Sequence, residues 1–320
     1  MLHLLNKNLN LQLAILVVLL GWTAWTIFAR MTLMPPDGTM LLFQHVANLW
    51  TAHPLLLRFG VLLLVLFMTI GVIRDFQQNH FYENRTYMPG IFLLLILNCG
   101  KFLNAFTPAL LTASFIAMIM LMYSPGESAS KVKDRIFTFG LSIAIATLLD
   151  VSAFGILLFL IMTIAINNVT PFKDNLILLA GMLIPYIYAF SIAFIGNTLP
   201  VFLQSWCDLA ILVPAKTITH LSLNDYLVLS YFLVLVIYLL IRGKQHLDNK
   251  LIVIRQAFTN THLLFISMLL FLWLGNIALP GALLYVLLPV ATYLAVAVIP
   301  KRRRFVFDIL FVIFCVLLWL

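Results

Sequence analysis

The chain has 320 residues, 63% of them hydrophobic and 9% charged, with a mean hydropathy of +1.09, whereas a soluble domain carries roughly a quarter charged residues. A soluble fold is excluded, because one core of this length cannot hide so much apolar surface. The formal charge is +8, which marks either a nucleic-acid partner or the inner side of a membrane, and the distribution of the basic residues decides between them.

Leu11 to Ala29 is the first apolar run, flanked by Lys7 and Arg30 and closed by no small-x-small cleavage pattern, so it reads as an uncleaved anchor. Residues 40–53 set Leu42, Val46, Leu49 and Trp50 at helical spacing opposite Gln44, Asn48 and Thr51, the pattern of a short helix lying in the membrane interface. Apolar runs recur at 55–73, 89–100, 108–123, 137–149, 151–167 and 176–195. The stretch 199–222, bounded by Pro200 and Pro214 and carrying Gln204 and Asp208, reads as a re-entrant or surface helix. Four more runs follow at 226–242, 257–275, 281–299 and 305–320. The runs 89–100 and 137–149 are short for a hydrocarbon core of about 30 Å and read as hairpin partners of their successors. Gly181 with Pro185 is expected to kink the run that holds them, and Pro280 and Pro289 punctuate a later one. The expected class is an all-α, polytopic transmembrane helical bundle of about eleven spans, short hairpin helices included. Its N-terminus is expected inside, with residues 1–320 forming a single integral-membrane domain.

Eleven spans with an inner N-terminus assign every loop to a side. The inner loops then receive Lys7, Arg74, Arg85, Lys131, Lys133, Arg135, Lys173, Arg242, Lys244, Lys250, Arg255 and the run Lys301 to Arg304. Only Arg30, Arg58, Lys101 and Lys216 of the 19 Lys and Arg fall on the outer side. Orientation in an inner membrane thus accounts for the basic surplus, and no nucleic-acid partner is required.

Ionisable residues at membrane depth are costly unless they are paired or line a wet cavity, so the leftover outer residues are the informative ones. The candidate site therefore comprises Arg30, Arg58, Lys101 and Lys216 as cations able to hold a phosphate or diphosphate, with Asp150 and His45 as proton-handling groups. Each has a plainer reading as a snorkelling flank residue or local ion pair. Asp150 divides two apolar runs, and it either faces a cavity or caps the helix that follows. His262 reads as a hydrogen-bonded core histidine. Cys99, Cys207 and Cys315 lie in apolar surroundings without C-x-x-C spacing, and neither a disulfide framework nor a zinc site is expected. No metal and no cofactor is expected. Phosphate-loop, nucleophile-elbow, H-E-x-x-H and dinucleotide fingerprints do not occur.

Arg85-Thr86-Tyr87-Met88-Pro89, Phe137-Thr138-Phe139-Gly140, the apolar hairpin around Asp150, Pro171-Phe172 and Gly181 to Pro185-Tyr186 together resemble a family of polytopic inner-membrane proteins of Bacteroidota to which no activity is assigned. The likeness is carried by about residues 60–190. The helix pattern is also loosely similar to that of O-antigen polymerase and EpsG-like proteins of surface-polysaccharide assembly. This resemblance implies a glycosyl-transferring, polymerase-like membrane enzyme. It would act on a polyprenyl-linked sugar at the outer leaflet, with Arg58, Lys101 or Arg30 on the leaving diphosphate and Asp150 or a histidine as base.

Two other readings stay open at this point. One is a transporter or lipid flippase, against which the scarcity of mid-span acids counts. The other is a non-enzymatic subunit whose helices bind other membrane proteins. Membrane lipids are partners under all three.

Overall fold

A computed structural model describes residues 8–31, 43, 48, 53–82, 85–100, 102–104, 106–122, 129–150, 153–167, 172–204, 223–247, 250–272, 279–298 and 304–319. The described residues are predominantly helical and include no strands. In chain order the long elements are α1 (Leu9–Arg30), α2 (Pro54–Gln78), α3 (Met88–Cys99), α4 (Pro108–Met122), α5 (Ala129–Leu149) and α6 (Phe154–Asn167). They continue as α7 (Phe172–Ile195), α8 (Leu223–Leu247), α9 (Ile252–Leu272), α10 (Leu279–Val298) and α11 (Arg304–Trp319). Each apolar run of the sequence coincides with one of these helices.

Four helices are long and apolar enough to cross a membrane: α1, α2, α7 over Leu176–Ile195 and α8 over Tyr226–Gly243. They also form the outside of the bundle. Val18, Trp25, Leu55, Leu63, Tyr188, Ile192 and Ile195 are all more than 60% exposed, an apolar surface that water would not tolerate. The centre is built from helices that are apolar all round. On α10 every residue from Leu283 to Val298 is buried, and on α3 only Leu95 and Cys99 are not.

The two short runs stay short as apolar segments. α3 stays at 12 residues, about 18 Å at 1.5 Å per residue, and does not reach across a core of about 30 Å. α5 begins at Ala129 and runs 21 residues, but its apolar part, Ile136–Leu149, stays short as expected. The hydropathy signal ends at the charges of Lys131, Lys133, Asp134 and Arg135, whereas these residues prolong a helix without penalty beyond modest propensity differences.

α1 clasps the short central helix at both ends. Gln12 Oε1 accepts from the Tyr87 amide at 2.7 Å and from Thr86 Oγ1 at 3.1 Å, fixing the segment that enters α3. At the other end Asn98 Nδ2 donates to Thr23 Oγ1 at 2.8 Å, and Thr26 Oγ1 donates to Asn98 Oδ1 at 3.3 Å. α5 and α7 meet through reciprocal glycines. A Cβ on Gly140 would collide with the Leu178 carbonyl of α7, and a Cβ on Gly181 with the Phe137 carbonyl of α5. Gly181 therefore serves close helix packing, and Pro185 lies within an α7 that continues from Phe172 to Ile195.

Two segments fall largely outside the described residues. Of the interfacial helix expected at 40–53, Phe43 and Asn48 are helical, and Phe43 is buried and stacked on Phe106 with ring centroids 5.3 Å apart. Of 199–222, residues 199–204 are helical. Cys207 also lies outside.

Cys99 and Cys315, read from sequence as filler, come close to each other at the ends of α3 and α11. Oxidation of the full chain with copper–phenanthroline should therefore join them within one molecule, seen as a faster band on non-reducing gels that Cys99→Ser or Cys315→Ser removes. Cross-linking only between copies would contradict the α3–α11 packing.

Candidate functional site

On α2 the buried residues include Val61, Val65, Met68, Val72 and Asp75, successively three or four residues apart, and Asn79 follows four residues later. Asp75 is carried inward by that period and is 3% exposed, while its neighbour Arg74 points out. Asn79 ends the helix. Its amide donates to the Asp75 carbonyl at 3.0 Å and its side-chain Nδ2 to Asp75 Oδ1 at 2.9 Å. His80 then turns the chain in the left-handed region at φ 52°. This short-range clamp fixes the rotamers of both polar side chains. It leaves Asp75 Oδ2 and Asn79 Oδ1 buried, with no hydrogen-bond partner among the described residues.

Both side chains line a cavity whose opposite wall is Asn260 and Thr261 of α9, closed by Met120 of α4 and Phe159 of α6. The cavity has room for about one water or a small ion. Thr261 Oγ1 donates to the Ala257 carbonyl at 3.1 Å, so its lone pairs remain available as acceptors. A smaller void among α3, α8, α10 and α11 is lined only by apolar side chains and offers a ligand no polar hold.

A second carboxylate lies further along the same interior. Asp150 follows α5, its amide donating to the Ala146 carbonyl at 2.9 Å. Its side chain is 6% exposed, and its Oδ2 accepts from the Tyr285 hydroxyl of α10 and from Thr112 Oγ1 of α4 at 3.5 Å. Thr112 and Met120 lie on one helix, eight residues and therefore about 12 Å apart along its axis. The two acids thus stand at different levels of one bundle, with α4 common to both. On α10, Tyr293 lies eight residues beyond Tyr285. Its hydroxyl is buried without a hydrogen-bond partner among the described residues, and its ring packs against Phe258 and His262 of α9.

Among the residues named from sequence, Arg30 is exposed at the end of α1, where a cation complements the helix dipole. Arg58 is half-buried in the first turns of α2, its Nε without a hydrogen-bond partner among the described residues. The partners described for Asp150 are Tyr285 and Thr112. His45, Lys101 and Lys216 lie outside the described residues. His262 is a half-buried core histidine, with Nδ1 2.7 Å from the Phe258 carbonyl. No three His, Cys, Asp or Glu side chains gather as a metal centre among the described residues.

Sequence reasoning missed Asp75, Asn79, Asn260, Thr261 and Tyr285. The triplet Asn260-Thr261-His262 inside an apolar run was a legible signal. Asp75 was hidden behind Arg74, whose charge ends the hydropathy run and places both in a loop, although the interior period of α2 continues through them.

No family model, no curated protein and no solved structure matches this chain.

Proposed function

We propose that the chain is a multi-pass inner-membrane transporter that moves a proton or a small cation through the interior of its bundle. The long helices α1, α2, α7 and α8 cross the bilayer with the shorter helices packed among them, the N-terminus lies in the cytoplasm, and the exposed apolar faces of these four contact lipid. Orientation is supported by the inner-loop concentration of Lys and Arg.

The observation that carries the reading is the pair of carboxylates, Asp75 and Asp150, buried at two levels of one apolar bundle. Interior acids are expensive in such surroundings, and groups of this kind serve ion pathways and proton relays. Mid-span acids look scarce in the sequence, which weighs against ion coupling, but burial restores both of these to the interior. Polar groups on α4, α9 and α10 lie between or beside them: Thr112, Thr261, Tyr285 and Tyr293. A lipid-linked-sugar enzyme would instead need Arg30, Arg58, Lys101 and Asp150 around one outer pocket large enough for a sugar diphosphate, and no observation favours that arrangement.

The test is flux. Full-length protein in proteoliposomes, energised by a potassium–valinomycin diffusion potential, should admit protons or sodium, followed with a trapped pH- or sodium-sensitive dye. Asp75→Asn, which keeps shape and removes charge, should abolish the flux. An Asp75→Asn protein as active as the wild type would overturn the assignment of a path through this residue, and the absence of any flux in wild-type vesicles would remove the transport reading itself.

A further inference from the structure

We infer that the cavity between α2 and α9 is a binding site for a small, dehydrated monovalent cation of the sodium class, with Asp75 Oδ2, Asn79 Oδ1 and Thr261 Oγ1 as ligands. The inference deepens the transport reading and rests on it for its functional meaning, but the site itself is argued from its own chemistry.

Three observations point the same way. Asp75 and Asn79 are 3% and 6% exposed and line the cavity, and each keeps one buried oxygen that no described residue satisfies. Their other bond, from Asn79 Nδ2 to Asp75 Oδ1, fixes which amide atom is the oxygen, because only the nitrogen can donate to a carboxylate. Two unsatisfied acceptors are therefore held beside the same small space, an arrangement that calls for a positive group. The donor set is all oxygen: a carboxylate, a carboxamide and a hydroxyl, with Asn260 on the same wall. Hard cations take such ligands, and soft or borderline metals do not favour them.

Charge and size narrow the class further. Asp75 is the only acidic side chain among the described residues that line the cavity. One negative charge balances a monovalent ion, whereas calcium takes six to eight oxygens, commonly from several carboxylates, and magnesium keeps much of its water. Room for about one water-sized group suits a small ion that has shed most of its water.

The closing experiment reads binding in detergent, separately from transport. Purified full-length protein is melted in increasing NaCl, with choline chloride holding ionic strength constant and KCl, CaCl₂ and MgCl₂ run in parallel. Sodium should raise the melting temperature saturably, and potassium should need a much higher concentration. Asp75→Asn should lose the shift. Should that variant fail to fold, Thr261→Val preserves the shape of the wall and should raise the sodium concentration at half-effect by about tenfold or more. The inference is overturned by a wild-type melting temperature that ignores sodium, by an undiminished shift in both variants, or by calcium or magnesium acting at equal potency. Stabilisation by acid alone, with no cation dependence, would make Asp75 a protonated core residue and likewise overturn it. A sodium-dependent shift without flux in vesicles keeps the site and removes the transport reading. Proton flux without any sodium effect does the reverse.

Discussion

Tyr285→Phe should destabilise the folded bundle markedly, and more than Thr112→Val, although each removes one hydroxyl from the same carboxylate oxygen. The Tyr285 hydroxyl makes the close bond to Asp150, 135 residues away in sequence, whereas Thr112 stands at 3.5 Å, the outer limit of a useful hydrogen bond. Removing a donor from a buried acceptor costs roughly 1–3 kcal/mol, and more where the acceptor is charged. The measurement is thermal or denaturant unfolding in detergent, with a loss of several degrees expected for Tyr285→Phe. The double variant Asp150→Leu with Tyr285→Phe separates the pair from its parts. If the tyrosine acts through Asp150, the double variant is less destabilised than the two single effects added together. Strict additivity would mean that the loss at Tyr285 is one of packing only.

Gly140→Val is the second large effect, and it comes from sterics. The nearest atoms to a Cβ there belong to the backbone of α7, the Leu178 carbonyl and the Met182 amide nitrogen, and a backbone cannot step aside as a side chain can. Gly181 meets α5 in the same manner. Overpacking a well-filled contact costs about 1–3 kcal/mol and occasionally more. Here the consequence is separation of α7 from α5, so the variant should lose the sharp melting transition and expose the α5–α7 crossing to cleavage or labelling. The control is Gly21 on α1, where a Cβ meets nothing within 4 Å. Gly21→Ala should be neutral or should gain up to about 1 kcal/mol from helix propensity. Equal behaviour of the two substitutions would contradict the close approach of the helices.

Both predictions concern contacts that no local pattern announces. The eleven apolar runs were legible because a helix in lipid must satisfy its own backbone, which imposes long uninterrupted apolar segments. Their ends were less legible. α5 starts eight residues before its apolar run because hydropathy marks where side chains become charged and says nothing of where the backbone stops hydrogen-bonding. The same confusion placed Asp75 in a loop. Its charge and that of Arg74 end the apolar run, yet α2 continues to Gln78 with an unbroken interior face. Asp150 was legible as an isolated acid between two runs, but Tyr285 was not. A tyrosine in an apolar helix is common, and only the approach of α10 to the end of α5 gives it a partner.

The sequence by itself determined the class: an apolar, sparsely charged chain partitioned into helices. This follows from transfer free energies summed over local windows, for which no knowledge of neighbours is needed. The tertiary structure decided which helices are central and which carry the exposed apolar faces. The shortest, α3, and α10, buried from Leu283 to Val298, lie inside, while the four long apolar helices carry the exposed apolar faces. It also decided which polar residues meet. Asp75 faces Asn260 and Thr261 across one cavity, Asp150 meets Tyr285, and Cys99 meets Cys315. Hydrogen bonds and steric contacts act over a few ångströms between residues far apart in the chain, and only the packing of the helices brings those residues within range.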